Sequence, residues 1–169
     1  TIWALIDGNY TTGLFGPVAD HLDPTKANLQ LHNPSRIPWF ITVPLFTLIY
    51  LYLFSQPVNT EDKKALLSFT GMTLCLFFLW SKGWSPQWQV MLIPLILLVF
   101  PNRHGVLYCL VLGFVNFLEW PVILSRGLNR LLMVTVPLRT LLMLLLLLEF
   151  HRQSRVNSSQ SSRRRRTGE

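Results

Sequence analysis

The sequence predicts an all-α membrane protein, a polytopic helical bundle of about five transmembrane helices. Half of the 169 residues are hydrophobic and only 14% are charged, a composition typical of a protein that lies largely in hydrocarbon. A membrane span needs about 20 mostly apolar residues, with a range of about 17–25. Five stretches meet this requirement, at residues 38–54, 65–81, 84–100, 105–124 and 131–150. A soluble bundle would show a polar face on each helix, and the apolar run at 141–148 has none.

Residues 1–36 precede the first predicted span and are expected to form a loop region on one face of the membrane. They lack an apolar run long enough to span, and their glycines and prolines are spaced as turns. A short amphipathic stretch at 2–6 is expected to form a helix that lies on the interface. The sequence opens at Thr1 with no charged leader and reads like the middle of a longer chain. We therefore expect a C-terminal fragment whose N-terminal half is its natural partner.

The distribution of Lys and Arg among the loops predicts the orientation of the chain. With five spans, residues 1–36 and residues 151–169 lie on opposite sides of the membrane. Nine basic residues then share the side of the C-terminal segment and five share the other side. Residues 151–169 are rich in Ser, Gln and Arg, and are expected to form a disordered basic tail in the cytoplasm. Residues 1–36 would accordingly face the outside.

The sequence offers no pattern for a metal, a cofactor or a nucleic acid. Cys75 and Cys109 both fall inside apolar spans without a metal-ligand spacing, and the four histidines are scattered over loops. The arginine run at 163–166 has no nucleic-acid-binding fold around it. The bilayer itself is the partner that the composition indicates.

The segment 82–88, Lys-Gly-Trp-Ser-Pro-Gln-Trp, stands between two apolar spans and is the first candidate for a site. Ser85 is a favoured N-cap and Pro86 suits the first helical position, so the third span is predicted to begin here. A helix N-terminus attracts anions such as phosphate, and Lys82 adds a full positive charge. Alternatively, the segment is only a well-capped helix start whose lysine reaches the headgroups. Trp84 and Trp88 suit either interpretation, because tryptophan favours membrane interfaces.

Two charged residues inside the spans form a second candidate site. Glu119 is predicted about 8 Å below the outer end of the fourth span, and Arg139 about 12 Å into the fifth. Charges at such depths are costly and usually face the bundle interior or a water-filled cavity. One interpretation is a structural Glu119–Arg139 pair that helps the helices to pack. The other is that Arg139 faces an outward cavity and grips an anionic headgroup, with Asn116 one turn from Glu119 on the same face.

The segment 82–88, followed by an apolar span that contains Pro94, resembles the C-terminal half of GT-C glycosyltransferases. It is most similar to polyprenol-phosphate-mannose-dependent mannosyltransferases of the glycosyltransferase family 87 type. In that family a Lys-x-x-Ser-Pro-Gln-Tyr-like motif precedes a Trp-Leu-x-Pro-like span. This chain departs from the motif by having Trp88 in place of the tyrosine. Residues 3–10 also resemble the outer-face loop before the late spans of such bacterial proteins.

The resemblance implies an inverting transfer of a sugar, mannose in that family, from a polyprenyl-phosphate donor on the extracytoplasmic face of a bacterial plasma membrane. It also implies that the catalytic aspartate lies in an earlier outward loop, so no residue here is given that role. Lys82, Ser85 and Gln87 match the motif, and are expected to bind the donor phosphate or to order the site. To these substrate-binding candidates we add Arg139 from its position in the span. Trp84, Trp88, Asn116 and Glu119 are the supporting candidates.

Two other functions fit the same sequence. A transporter or flippase-like protein for a lipid-linked anion would use the same outward pocket without a catalytic base. A non-catalytic membrane subunit would need only helix faces that pack against a partner protein. An acidic pair in an upstream outward loop would favour the enzyme, whereas long inverted repeats upstream would favour the transporter.

Overall fold

The computed structural model describes residues 1–8, 35–83, 86–124, 126 and 128–167, except for the side chains of 86, 87, 124, 129 and 156–167. Every regular element in these ranges is helical, so the predicted all-α class is confirmed. The α-helices are α1 (Ile2–Ile6), α2 (Trp39–Phe54), α3 (Lys63–Trp80), α4 (Leu92–Val99), α5 (Arg103–Phe117) and α6 (Leu132–Thr167). A 3₁₀ helix at Pro86–Met91 precedes α4, a π-helix at Leu118–Leu124 continues α5, and a 3₁₀ turn at Asn129–Leu131 precedes α6.

Within the described ranges, three helices are long and apolar enough to cross a membrane: Lys63–Trp80, Arg103–Ile123 and Leu132–Arg155. The chain is therefore an integral membrane protein by the length and composition of its helices, but the five predicted spans are not confirmed. The other two stretches contain shorter apolar helices, Trp39–Phe54 and Trp88–Val99. At 1.5 Å per residue, α2 with its 16 residues is about 24 Å long, which is less than the roughly 30 Å of hydrocarbon.

The centre of the bundle is the packing of α3 against α6, made close by Gly71. A Cβ atom at Gly71 would lie 2.6 Å from Cζ of the Phe150 ring, so only glycine allows this approach. Phe150 is fully buried and its ring centroid is 5.4 Å from that of Phe100. α4 and α5 complete the core, which includes Met72, Cys75, Leu76, Leu92, Ile96, Leu112 and Leu146.

Local sequence explains where α3 and α5 begin. The Asp62 carboxylate accepts a hydrogen bond from the Lys64 N–H at 2.8 Å, and the Asn102 side chain accepts one from the Gly105 N–H at 3.1 Å. Both are ordinary N-caps. A Cβ atom at Gly105 would lie 2.0 Å from the Phe100 carbonyl oxygen, so glycine permits the short connection between α4 and α5.

α1 lies across one end of the bundle. The Trp3 indole N–H donates to the Leu79 carbonyl at 2.8 Å, and the Thr1 hydroxyl donates to the Lys82 carbonyl at 2.8 Å. Ile2 and Leu5 pack on a small apolar cluster of Ile123, Leu132 and Val136. A helix thus forms at 2–6, as the amphipathic stretch suggested, and its place at a membrane interface stays a prediction.

The last helix extends beyond residue 150, where the sequence predicted that the tail begins. The sequence suggested disorder from residue 151, whereas α6 continues to Thr167. No glycine or proline interrupts 151–167, so a helix that is already packed can continue. Arg155 also ties α6 to α2, because its guanidinium donates to the Gln56 side chain at 2.8 Å and to the Tyr52 hydroxyl at 3.3 Å.

Candidate functional site

Buried polar side chains from three helices lie toward the same end of the bundle, next to the apolar cluster of Ile123, Leu132 and Val136. We call it the Lys82 end, because Lys82, Glu119 and Arg139 lie there; the opposite end, with Arg103 and Arg155, is the Arg103 end. On each helix these polar residues follow a buried apolar series at helical spacing. The buried series are Val99, Ile96, Leu92 and then Gln89; Leu112, Val115 and then Glu119; and Phe150, Leu146, Met143 and then Arg139 and Thr135.

Glu119 and Arg139 form a buried ion pair at this end. The Arg139 guanidinium donates from Nη1 to Glu119 Oε2. The two residues are only 2% and 3% exposed, so the pair is shielded from solvent. The structure therefore confirms the interpretation of Glu119–Arg139 as a pair between packed helices.

The position of Glu119 depends on a local change of helix type. Pro121 has no N–H, so the α-helical hydrogen bond to the carbonyl of Phe117 cannot form. The chain continues as the π-helix Leu118–Leu124, which holds Glu119 in its first turn. π-helical turns within α-helices occur often at functional sites.

Arg139 is buried among the described residues, and the headgroup-binding role that the sequence suggested for it stays a prediction. The cavity beside it measures about 10 Å³ and is lined by Thr1, Ile2 and Leu79 among others. This volume suits a single water molecule. α1 covers the arginine from the end of the bundle, and Glu119 already satisfies part of its hydrogen-bonding capacity.

Lys82 is exposed immediately after α3, and its side chain is ordered by three contacts. Its ammonium donates to the Ser35 hydroxyl and to the Ile37 carbonyl, the latter at 3.0 Å. It also lies 5.9 Å from the centroid of the Trp3 ring, within the range of a cation–π contact. The positive charge is thus held above the end of the bundle and stays accessible to an anion.

Thr1 connects the lysine to the buried pair. Its hydroxyl binds the Lys82 carbonyl, and the same residue lines the small cavity beside Arg139. The structure therefore brings two of the predicted substrate-binding residues, Lys82 and Arg139, to the same end of the bundle. Only Lys82 is accessible there, since Arg139 lies beneath α1.

The remaining candidates of segment 82–88 are only partly described. Trp84, Ser85 and the side chain of Gln87 lie outside the described residues, so the N-cap and phosphate roles predicted for them stay predictions. Pro86 does stand at the first position of a helix, but this helix is 3₁₀ as far as Met91, and α4 begins only at Leu92. Trp88 is 46% exposed, as suits an interfacial residue.

Asn116 lines a surface cleft of about 230 Å³, to which Gly113, Phe117, Trp120 and Pro121 contribute. Glu119 is not part of that lining, so the cleft does not bring the two supporting residues together. The Asn116 Oδ1 atom is buried without a hydrogen-bond partner among the described groups. The cleft is lined by aromatic rings and by the Asn116 residue, whose amide oxygen is buried.

Sequence reasoning missed Gln89. Its side chain is 4% exposed, and neither amide atom has a hydrogen-bond partner within the described ranges. A buried, unpaired polar group costs about 1–3 kcal/mol, so such a residue calls for an explanation. The available signal was its spacing, three residues before Leu92 and seven before Ile96, which places it on the buried face of α4.

The Lys82 end thus combines an accessible ammonium with buried amide and carboxylate groups beneath it. It can attract an anion at the surface and offers hydrogen bonds within the core. Comparisons with known protein families, with curated proteins and with solved structures find no match to this chain.

Proposed function

We propose that this chain is the C-terminal membrane portion of a glycosyltransferase that moves a sugar, mannose in the family it resembles, from a polyprenyl-phosphate donor on the extracytoplasmic face. The proposal is supported by the motif at 82–87 and by one structural observation. Lys82 holds an accessible positive charge at the end of the bundle where buried polar side chains from three helices lie. A phosphate linked to a lipid meets a membrane protein at such an interface.

The chemistry of the transfer gives Lys82 its role. When an acceptor hydroxyl attacks the anomeric carbon, the bond to the phosphate oxygen breaks, and the polyprenyl phosphate leaves with an additional negative charge. A fixed ammonium beside that phosphate stabilises the charge as it develops. The contacts with Ser35 and Ile37 orient the ammonium in advance, so little reorganisation is needed. The group that deprotonates the acceptor is assigned to the upstream half of the protein.

Arg139 receives a positioning role in this proposal. To bind a headgroup directly, it would have to leave Glu119 and displace α1, which packs over it. As a buried pair with Glu119 it instead fixes α5 against α6 beneath the donor. The phosphate is then bound at the surface by Lys82 and the segment that follows.

Substitution of Lys82 tests the proposal. We expect Lys82→Ala, in the protein translated from the complete reading frame, to lower the initial rate of mannose transfer at least tenfold, equivalent to about 1.4 kcal/mol. The assay uses polyprenyl-phosphate mannose in proteoliposomes and counts both the transferred sugar and the released polyprenyl phosphate. Lys82→Arg, which keeps the charge, should retain more activity than Lys82→Ala.

Lys63→Ala is the matched control, because Lys63 begins α3 at the Arg103 end. It should leave the rate unchanged. A normal rate in Lys82→Ala at equal expression would exclude the assigned role. Passage of intact lipid-linked mannose across the bilayer without release of polyprenyl phosphate would favour the transporter instead.

A further inference from the structure

A separate cavity opens at the Arg103 end, between α5 and α6. It has a volume of about 560 Å³, within the range of about 300–1,000 Å³ found for small-molecule sites. One part of its wall is apolar and follows the two helices, with Leu107 and Val111 on α5 and Leu142 on α6. Polar side chains from both helices gather at its other part, among them His104, Glu149 and Gln153. The cavity is thus amphipathic.

The polar part of the cavity carries opposite charges on its two sides. On one side, α5 begins, so the partial positive charge of a helix N-terminus lies beside His104, together with the N–H groups of Arg103 and His104, which precede the N–H of Gly105 that Asn102 caps. On the other side stands the Glu149 carboxylate, and Tyr108 also contributes to the lining. Arg152 contacts Glu149 at 3.4 Å, but both side chains are substantially exposed, and such a pair contributes little. Arg152 contacts Oε1, so a second cation would bind Glu149 through Oε2.

The depth of the cavity matches that of a lipid headgroup. α5 enters its apolar run just after Arg103, and α6 ends its apolar run at Phe150 before Arg152 and Arg155. Basic residues at the ends of spans mark the level of the headgroups. The apolar wall extends from this level into the span, as an acyl chain does.

We propose that this cavity is a binding site for a zwitterionic glycerophospholipid with a primary-amine headgroup. Its phosphate lies at the N-terminus of α5 beside His104, and its ammonium lies against Glu149. One acyl chain follows Leu107, Val111 and Leu142. Charge complementarity selects this occupant, because an anionic headgroup would place a second negative charge next to the carboxylate. The site is independent of the donor site at the Lys82 end.

Native mass spectrometry of the full chain with phosphatidylethanolamine and phosphatidylglycerol tests the proposal. We expect the wild-type protein to bind phosphatidylethanolamine more tightly than phosphatidylglycerol. Glu149→Gln should weaken phosphatidylethanolamine binding about fivefold, the upper range for a partly exposed ion pair, and should not weaken phosphatidylglycerol binding. Glu61→Gln removes a carboxylate at the same end outside the cavity and should change neither affinity.

A second pair of variants tests the cavity itself. Leu142→Trp fills the apolar wall and should reduce binding of both lipids. Leu141→Trp adds the same ring at a neighbouring, exposed position outside the lining and should have no such effect. Equal wild-type affinity for the two lipids, an unchanged preference in Glu149→Gln, or equal effects of the two tryptophans would overturn the proposal.

Discussion

At the scale of single residues, the buried pair of Glu119 and Arg139 places two charged groups in the core, where burial costs free energy. Each charge alone would be costly at this depth, because neither water nor lipid headgroups can solvate it. Their mutual attraction compensates for that cost only while both are present. The pair therefore fixes how α5 and α6 pack against each other. It adds little to the free energy of unfolding when compared with two apolar residues at the same positions.

This reasoning predicts a non-additive double-mutant cycle. Arg139→Leu alone should destabilise the protein by about 3–5 kcal/mol, since it leaves a buried carboxylate without its partner. Adding Glu119→Leu should recover most of the loss. Thermal unfolding in detergent measures both, with Arg152→Leu as a control for loss of an exposed arginine. Additive losses for the two buried residues would contradict the pairing.

At the scale of elements, α3 and α6 depend on a glycine for their approach. The space at Gly71 is filled by the Phe150 ring, which is itself enclosed by Phe100 and so has little freedom to move. Gly113, on α5, has nothing within 4 Å of where its Cβ would lie. Two glycines in apolar helices thus have different structural roles.

We expect Gly71→Ala to destabilise the bundle by about 1–3 kcal/mol, the usual cost of overpacking a core. Gly113→Ala should be neutral or stabilising, because alanine favours the helix and meets no neighbour. Both are measured as midpoints of thermal unfolding of the purified chain. If the two variants have the same midpoint of thermal unfolding, the close contact of α3 and α6 does not control stability.

The elements also show how far the sequence could predict the molecule. Hydropathy located the longer apolar helices that the structure describes, since each predicted span contains one. It could not show that Pro86–Met91 is 3₁₀, or that α2 is too short to span without help, because both depend on local backbone geometry. The depth of Glu119 and Arg139 left two interpretations open, a structural pair or an outward-facing arginine. To choose between them required knowledge of how residues distant in sequence pack, since α1 covers Arg139. Gln89 was overlooked because its burial follows only when its position is compared with those of Leu92 and Ile96, the buried residues of α4.

At the scale of the whole molecule, the two ends of the bundle differ in chemistry. The Lys82 end has an accessible ammonium above buried polar side chains, and the Arg103 end has an amphipathic cavity near basic residues. The distribution of Lys and Arg predicts that the first end faces the outside and the second the cytoplasm. We infer that the two ends meet different lipids, a sugar-phosphate donor outside and a membrane phospholipid inside.

The most direct test of this account is the thiol reactivity of Gly83→Cys in intact cells, with and without polyprenyl-phosphate mannose. A side chain fits at Gly83, which lies next to Lys82, and Cys75 and Cys109 lie within apolar helices, so the wild-type chain gives the background. We predict that an impermeant thiol reagent labels Gly83→Cys but not Ser159→Cys, and that the donor slows this labelling whereas polyprenol without phosphate does not. Labelling of Ser159→Cys instead, or no protection by the donor, would contradict the outward-facing donor site at Lys82.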